Sequence, residues 1–180
     1  GTRSFQTVYQ FTLEAVRYLF NQGCPLVILA CNTASAKALR SIQQQDLPHI
    51  DSTRRVLGVI RPSVEQVGLL TRTGHVGVLG TTGTVNSDSY RIEIQKIFPT
   101  IQVFQQACPM WVPLVENGEY QATGADYFIE RDLALLFKQS PLIDTIILGC
   151  THYPLLISKI KRYLPAHVKL LSQGEIVAQS

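Results

Sequence analysis

Val27-Ile28-Leu29-Ala30-Cys31-Asn32-Thr33-Ala34-Ser35 and Ile146-Ile147-Leu148-Gly149-Cys150-Thr151-His152-Tyr153-Pro154 are two versions of one device. In each, an apolar run of strand character leads to a small residue, a cysteine, two hydrogen-bonding residues and the start of a helix. The two cysteines are far apart in the chain, so only folding brings them together. Two thiols presented alike from two related halves suit one substrate approached from two sides, the geometry needed to invert a stereocentre.

The rest of the chain continues the strand–helix alternation. Residues 5–20 place Val8, Phe11, Ala15, Val16 and Leu19 on one helix face, and Gln22-Gly23 ends that helix. Strands are expected over 26–30, 56–60, 75–79, 101–107, 145–148 and 168–171. Helices are expected over 34–44, 87–97, 126–138 and 154–163, with Pro62 opening another. Residues 48–55 read as a polar loop. Strands alternating with helices of about ten residues give an α/β fold with parallel sheets. In such sheets the site lies at the carboxyl ends of the strands. Cys31 and Cys150 fall there, and so does Thr81 in Gly80-Thr81-Thr82-Gly83-Thr84.

Composition narrows the field. With 180 residues there is room for one or two domains, and 46% hydrophobic against 16% charged residues predicts a packed core. No apolar run reaches the roughly 20 residues of a membrane helix, and Gly1-Thr2-Arg3-Ser4-Phe5-Gln6 lacks the apolar core of a signal peptide. The net charge of +3 is scattered. It forms no basic stripe for nucleic acid and suits a small anionic substrate. Cys24, Cys31, Cys108 and Cys150 show neither Cys-x-x-Cys spacing nor a histidine cluster, which argues against zinc. A chain this long and apolar does not need disulfide staples, so free thiols in a reducing cytoplasm are expected.

Cys24, beside Pro25, and Cys108, beside Pro109, read as small buried hydrophobes. Cys31 and Cys150 differ because each sits where a strand gives way to a helix, a place that favours the thiolate. Asn32 and Thr33 read either as caps of a helix from Ala34 or as ligands, and Thr151 has the same two readings. His152, at the same strand end as Cys150, reads either as a structural histidine or, where it reaches the thiol, as its proton partner or thiolate stabiliser. The 80–84 loop lacks the Gly-Lys-Ser/Thr of a P-loop. It is either a strand-to-helix turn or a carboxylate cradle of amides and hydroxyls. Glu116 reads as a solvated helix end.

Together these segments resemble glutamate racemase, within the aspartate/glutamate racemase superfamily. The resemblance runs through Ala30-Cys31-Asn32-Thr33-Ala34-Ser35, Gly58-Val59-Ile60 with Pro62, and Gly80-Thr81. It continues through Ala107-Cys108-Pro109, Val112-Pro113-Leu114-Val115-Glu116 and Gly149-Cys150-Thr151-His152-Tyr153-Pro154-Leu155-Leu156. It implies two similar doubly wound α/β domains with parallel sheets and an active site in the cleft between them. The first domain would hold 1–60 plus 169–180, and the second 61–168. It also implies cofactor-independent, two-base racemisation of glutamate, with Cys31 and Cys150 as base and acid and His152 assisting Cys150. Asn32, Thr33, Thr151 and His152 would bind the substrate's amino and carboxylate groups. Thr81 and Thr84 would contact a carboxylate, Gly1 would touch substrate, and Glu116 would be an assisting carboxylate.

The implied setting is a cytoplasmic enzyme that supplies D-glutamate for peptidoglycan. It would be a homodimer as the full-length protein, with no metal and with neither nucleic acid nor membrane as partner. Aspartate-type members carry Glu after Cys-Thr, and His152 stands there in this chain, favouring glutamate. An aspartate or other small-acid racemase, or an inert fragment, are the alternatives. The chain departs from the family in lacking an early Asp-Ser-Gly strand, and Ser172-Gln173-Gly174-Glu175 stands where many members have Asp-Ser-Gly-Glu. It therefore reads as an internal piece of a longer protein.

Overall fold

The computed structural model describes residues 3–179. Helix α1 (Phe5–Asn21) leads into β1 (Leu26–Leu29), α2 (Asn32–Lys37) and a run of short turns containing α3 (Leu39–Ser41) and α4 (Leu47–Ile50). Then come β2 (Arg55–Gly58), α5 (Ile60–Leu70), β3 (His75–Gly80), α6 (Thr82–Asn86), α7 (Ser89–Ile97) and β4 (Gln102–Ala107). The chain continues through α8 (Trp111–Glu116), α9 (Thr123–Gln139), β5 (Thr145–Gly149), α10 (Ile157–Tyr163), β6 (Lys169–Leu171) and α11 (Gln173–Gln179). Among the described residues no helix is long and apolar enough to cross a membrane.

Every strand pair is parallel, as the alternation predicts. β1 and β2 form one sheet, and the second runs in the order β4-β3-β5-β6. β5 is buried throughout, which is why its sequence is continuously apolar. Successive side chains point to opposite faces. Ile146 and Leu148 enter a core with Trp111 of α8, Ile129, Leu133 and Leu136 of α9, and Ile160 of α10. Ile147 enters the other, with Ile60, Val64 and Val67 of α5 and Tyr90 and Ile94 of α7. The larger sheet is thus doubly wound. In the smaller sheet, Val27 and Val56 pack with Val16 and Phe20 of α1, while Leu26, Ile28 and Leu57 on the opposite face are exposed.

Three local expectations change. The expected helix over 34–44 starts earlier, at Asn32, and breaks after Lys37, with a π-type turn at Ile42–Asp46. The expected loop at 48–55 is partly helical, because Pro48 sits in the first turn of α4, where its missing N–H costs nothing. Residues 169–171 do not join the first sheet. Ile146 and Ile147 of β5 pair with Leu170 and Leu171, so the strand assigned above to the first unit belongs to the larger sheet. A three-residue edge strand carries too little pattern to announce its partner.

A buried carboxylate fastens the entry to this sheet. Asp144 accepts from the Thr71 hydroxyl at 2.6 Å, the Arg72 amide at 2.7 Å, the Thr73 amide at 2.9 Å and the Thr145 hydroxyl at 3.1 Å. Burial alone would raise its pKa, but these donors outweigh it and bring the pKa from 3.8 to about 2. A depressed carboxylate stabilises the fold above its unfolded pKa and ceases to do so as pH falls from about 4 to about 2. Asp144→Ala is expected to cost about 2–4 kcal/mol at neutral pH, since it also leaves the buried Thr145 hydroxyl and the part-buried donors of residues 71–73 without their acceptor. Urea unfolding should show that deficit shrinking across the same acid window.

Candidate active site

Both cysteines stand just past a strand. Cys31 is separated from the end of β1 by Ala30 and is itself the N-cap of α2, with no side-chain capping bond. Cys31 is an exposed residue and a free thiol. Because the helix begins at Asn32, neither Asn32 nor Thr33 is its cap, which removes the bland reading of those two residues. Cys150 follows Gly149, the last residue of β5, and is buried. A side chain at Gly149 would meet the Leu79 carbonyl oxygen and the Tyr90 ring, each at 3.1 Å, so close approach explains the small residue there. Thr151 is exposed and does not cap the 3-10 turn Tyr153–Leu156, whose N-cap is His152.

Cys31 and Cys150 line one cavity of about 530 Å³, together with Asn32, Thr33, Thr81, Thr151, His152 and Glu116. That size falls in the range of small-ligand sites. Burial raises the Cys150 thiol above its ordinary pKa. The Cys31 sulfur pushes the same way, against the backbone amides of His152 and Tyr153. The Cys150 thiol therefore senses a charge placed on Cys31. His152 Nδ1 lies 3.8 Å from Cys150 Sγ, and His152 Nε2 lies 3.4 Å from Glu116 Oε1. Glu116, the last residue of α8, is a solvated helix end as read, and it also backs this imidazole.

The threonines form a hydroxyl triangle: Thr33–Thr81 at 2.9 Å, Thr81–Thr84 at 3.1 Å and Thr33–Thr84 at 3.3 Å. Thr81 caps α6 by accepting from the Thr84 amide, so the turn reading of the 80–84 loop holds locally, while Thr81 still lines the cavity. Thr84 is fully buried behind it and is not part of the lining. Its hydroxyl lies within hydrogen-bond distance of both of the others. Gly1 lies outside the described residues.

The family model for Asp/Glu/hydantoin racemases matches residues 3–180. The chain belongs to the Asp/Glu/hydantoin racemase family. It is 39% identical over 180 residues to the glutamate racemase of Geobacter metallireducens, covering 99% of this chain and 63% of that protein. The glutamate racemase isoform RacE1 of Bacillus anthracis superposes with a TM-score of 0.88 at 34% identity, over 99% of this chain and 64% of the other. The Francisella tularensis glutamate racemase, solved with D-glutamate, superposes at 0.86 with 30% identity, over 99% and 63%. The chain thus spans a little under two thirds of the relatives it matches.

Two features of this racemase-family site escaped the sequence reading. Cys108, taken as a plain core residue, is buried but also lines the cavity. Burial, then the Asp132 carboxylate, lift its thiol well above the ordinary range, and its carbonyl accepts from Tyr153 at 3.1 Å. Its place in Ala107-Cys108-Pro109, directly after a strand, was the available signal. The second is a buried polar ring around Asn32. The Tyr90 hydroxyl donates to Asn32 Oδ1 at 2.6 Å, Asn32 Nδ2 donates to Gln173 Oε1 at 2.6 Å, and Gln173 Nε2 donates to the Tyr90 hydroxyl at 2.7 Å. No local pattern links positions so distant in sequence.

Proposed function

We propose that the natural polypeptide carrying this chain is a glutamate racemase that inverts Cα with two cysteines and no cofactor. The observation that carries the reading is one cavity lined by two strand-end thiols, one from each sheet's own loop, in a chain of this family. Glutamate as substrate is supported by the similarity to glutamate racemases and by His152 after Cys150-Thr151.

In one direction Cys31, as thiolate, takes the α-proton, and the C–H electron pair stays on carbon, delocalised into the carboxylate. The Cys150 S–H then delivers its proton to the opposite face and is left as thiolate. The reverse direction exchanges the roles. Burial keeps Cys150 protonated at rest, which fits it as the proton donor of the resting form. Thr33, Thr81 and Thr151 supply hydrogen bonds to the carboxylate as charge develops, where preorganised donors act most strongly. Holding both sulfurs fixed relative to Cα contributes the orientation component. The product D-glutamate would serve peptidoglycan synthesis in the cytoplasm, with the full-length protein acting as a homodimer.

Chiral chromatography of L-glutamate incubated with the full-length protein tests this. D-glutamate is expected to form at the same rate after EDTA or hydroxylamine treatment, and far faster than D-aspartate from L-aspartate. Activity abolished by either reagent, or faster turnover of aspartate, would overturn the reading.

A further inference from the structure

Tyr90 touches the neighbours of both thiols. Its hydroxyl donates to Asn32, the residue after Cys31. Its ring is packed where a side chain on Gly149, the residue before Cys150, would meet it at 3.1 Å. The hydroxyl is fixed in turn by Gln173, whose Nε2 also donates to Ser63 Oγ at 2.7 Å, while Ser63 Oγ donates to the Val59 carbonyl at 3.1 Å. Asn32, Tyr90, Gln173 and Ser63 are all buried.

In the ring each group donates to the next in one sense, Tyr90 to Asn32 to Gln173 to Tyr90, an arrangement in which the bonds polarise one another. It fixes which way both amides face. An amide nitrogen carries two hydrogens, of which the ring uses one on Asn32. The second N–H of a residue that lines the cavity is thereby held in a set plane. Through Asn32, the loop bearing Cys31 is tied to α7 and α11, which pack on the sheet that bears Cys150.

We propose that Tyr90, locked by Gln173, is a positioning residue that sets the separation and alignment of the two cysteines. The proposal rests on the racemase reading above. Neither residue is part of the cavity lining; Tyr90 acts through Asn32 and Gly149, and Gln173 through Asn32 and Tyr90. Catalysis between two thiols depends steeply on their spacing, because both must address one carbon, and a displacement of about 1 Å costs about a hundredfold in rate.

The test is Tyr90→Phe in the full-length protein, assayed well below the melting midpoint of every variant. Removing the hydroxyl keeps the ring against Gly149 and opens the polar ring at both of its bonds, freeing Asn32 Oδ1 and the Gln173 N–H that the hydroxyl accepts. kcat is expected to fall about ten- to a hundredfold with KM changed by less than about threefold. Gln173→Met should do the same, and the double variant should be no worse than either single one, since both open one ring. Ser63→Ala, which removes an acceptor of Gln173 outside the ring, is the stability control and should keep kcat within about twofold while melting lower.

Native-state hydrogen exchange at the Ser35 amide, which donates to the Cys31 carbonyl at 2.9 Å, gives a readout independent of turnover. It should quicken about tenfold in Tyr90→Phe and stay unchanged in Ser63→Ala. Unchanged kcat in Tyr90→Phe, multiplicative losses in the double variant, or losses that merely track stability in all three variants would overturn the positioning role. A wild-type protein that leaves glutamate untouched would sink the racemase reading instead. The exchange measurement would then decide alone whether the ring holds the Cys31 loop.

Discussion

Cys150→Ser in the full-length protein is expected to lower kcat/KM by about a thousandfold for both enantiomers of glutamate. A serine hydroxyl is a far weaker acid than a thiol, so its oxyanion is not available as a base near neutral pH, and it gives up its proton less readily. L- and D-glutamate have equal free energies, so the equilibrium constant is one and kcat/KM must fall by the same factor in each direction. Cys31→Ser should match it. The two variants separate on hydrogen exchange at Cα in heavy water, followed by NMR. With Cys150 replaced, Cys31 still removes and returns the hydrogen on its own face, so one enantiomer exchanges without inverting. With Cys31 replaced, the opposite enantiomer does. If both variants exchange the same enantiomer, the thiols do not address opposite faces, and a variant that keeps more than about a tenth of the activity removes that cysteine from the chemistry.

The parts of this fold that the sequence announced are those governed by burial of the strand itself. Ile146-Ile147-Leu148 is apolar on both sides because helices cover both faces of the larger sheet, and a continuous apolar run is how such a strand reads. The two cysteines were found because each interrupts that run at a strand end. What could not be read is set by distance along the chain. The fate of the edge strand Lys169–Leu171 depends on a partner more than twenty residues earlier.

The Asn32, Tyr90 and Gln173 ring joins three helices whose sequences carry no shared mark. The start of α2 was misplaced for a local reason: Asn and Thr are weak helix formers. In the folded chain their side chains are committed to Gln173, Tyr90 and the threonine triangle, so their poor propensity is offset by tertiary bonds. Glu116 shows the same limit from the other side. Its solvent exposure was legible in Val115-Glu116-Asn117-Gly118, and its contact with His152 was not.

That contact gives the remaining large prediction. If His152 Nε2–H donates to Glu116, Nδ1 is left as the acceptor facing the Cys150 S–H. The imidazole then draws the proton as Cys150 becomes the thiolate base of the reverse direction, and its developing positive charge meets the Glu116 carboxylate. His152→Gln is expected to reduce kcat by about a hundredfold, the usual scale for a positioned proton partner. Glu116→Gln should cost only about threefold. Its side chain is 61% exposed and 3.4 Å away, water screens the charge it supplies, and the amide oxygen still accepts from Nε2–H and preserves the tautomer. The order of the two effects follows from one linear arrangement, in which Glu116 acts only through His152. The double variant should therefore be no slower than His152→Gln alone. Independent, multiplicative losses in steady-state assays of the three variants would show instead that Glu116 acts on the substrate directly, and the relay from carboxylate to imidazole to thiol would have to be abandoned.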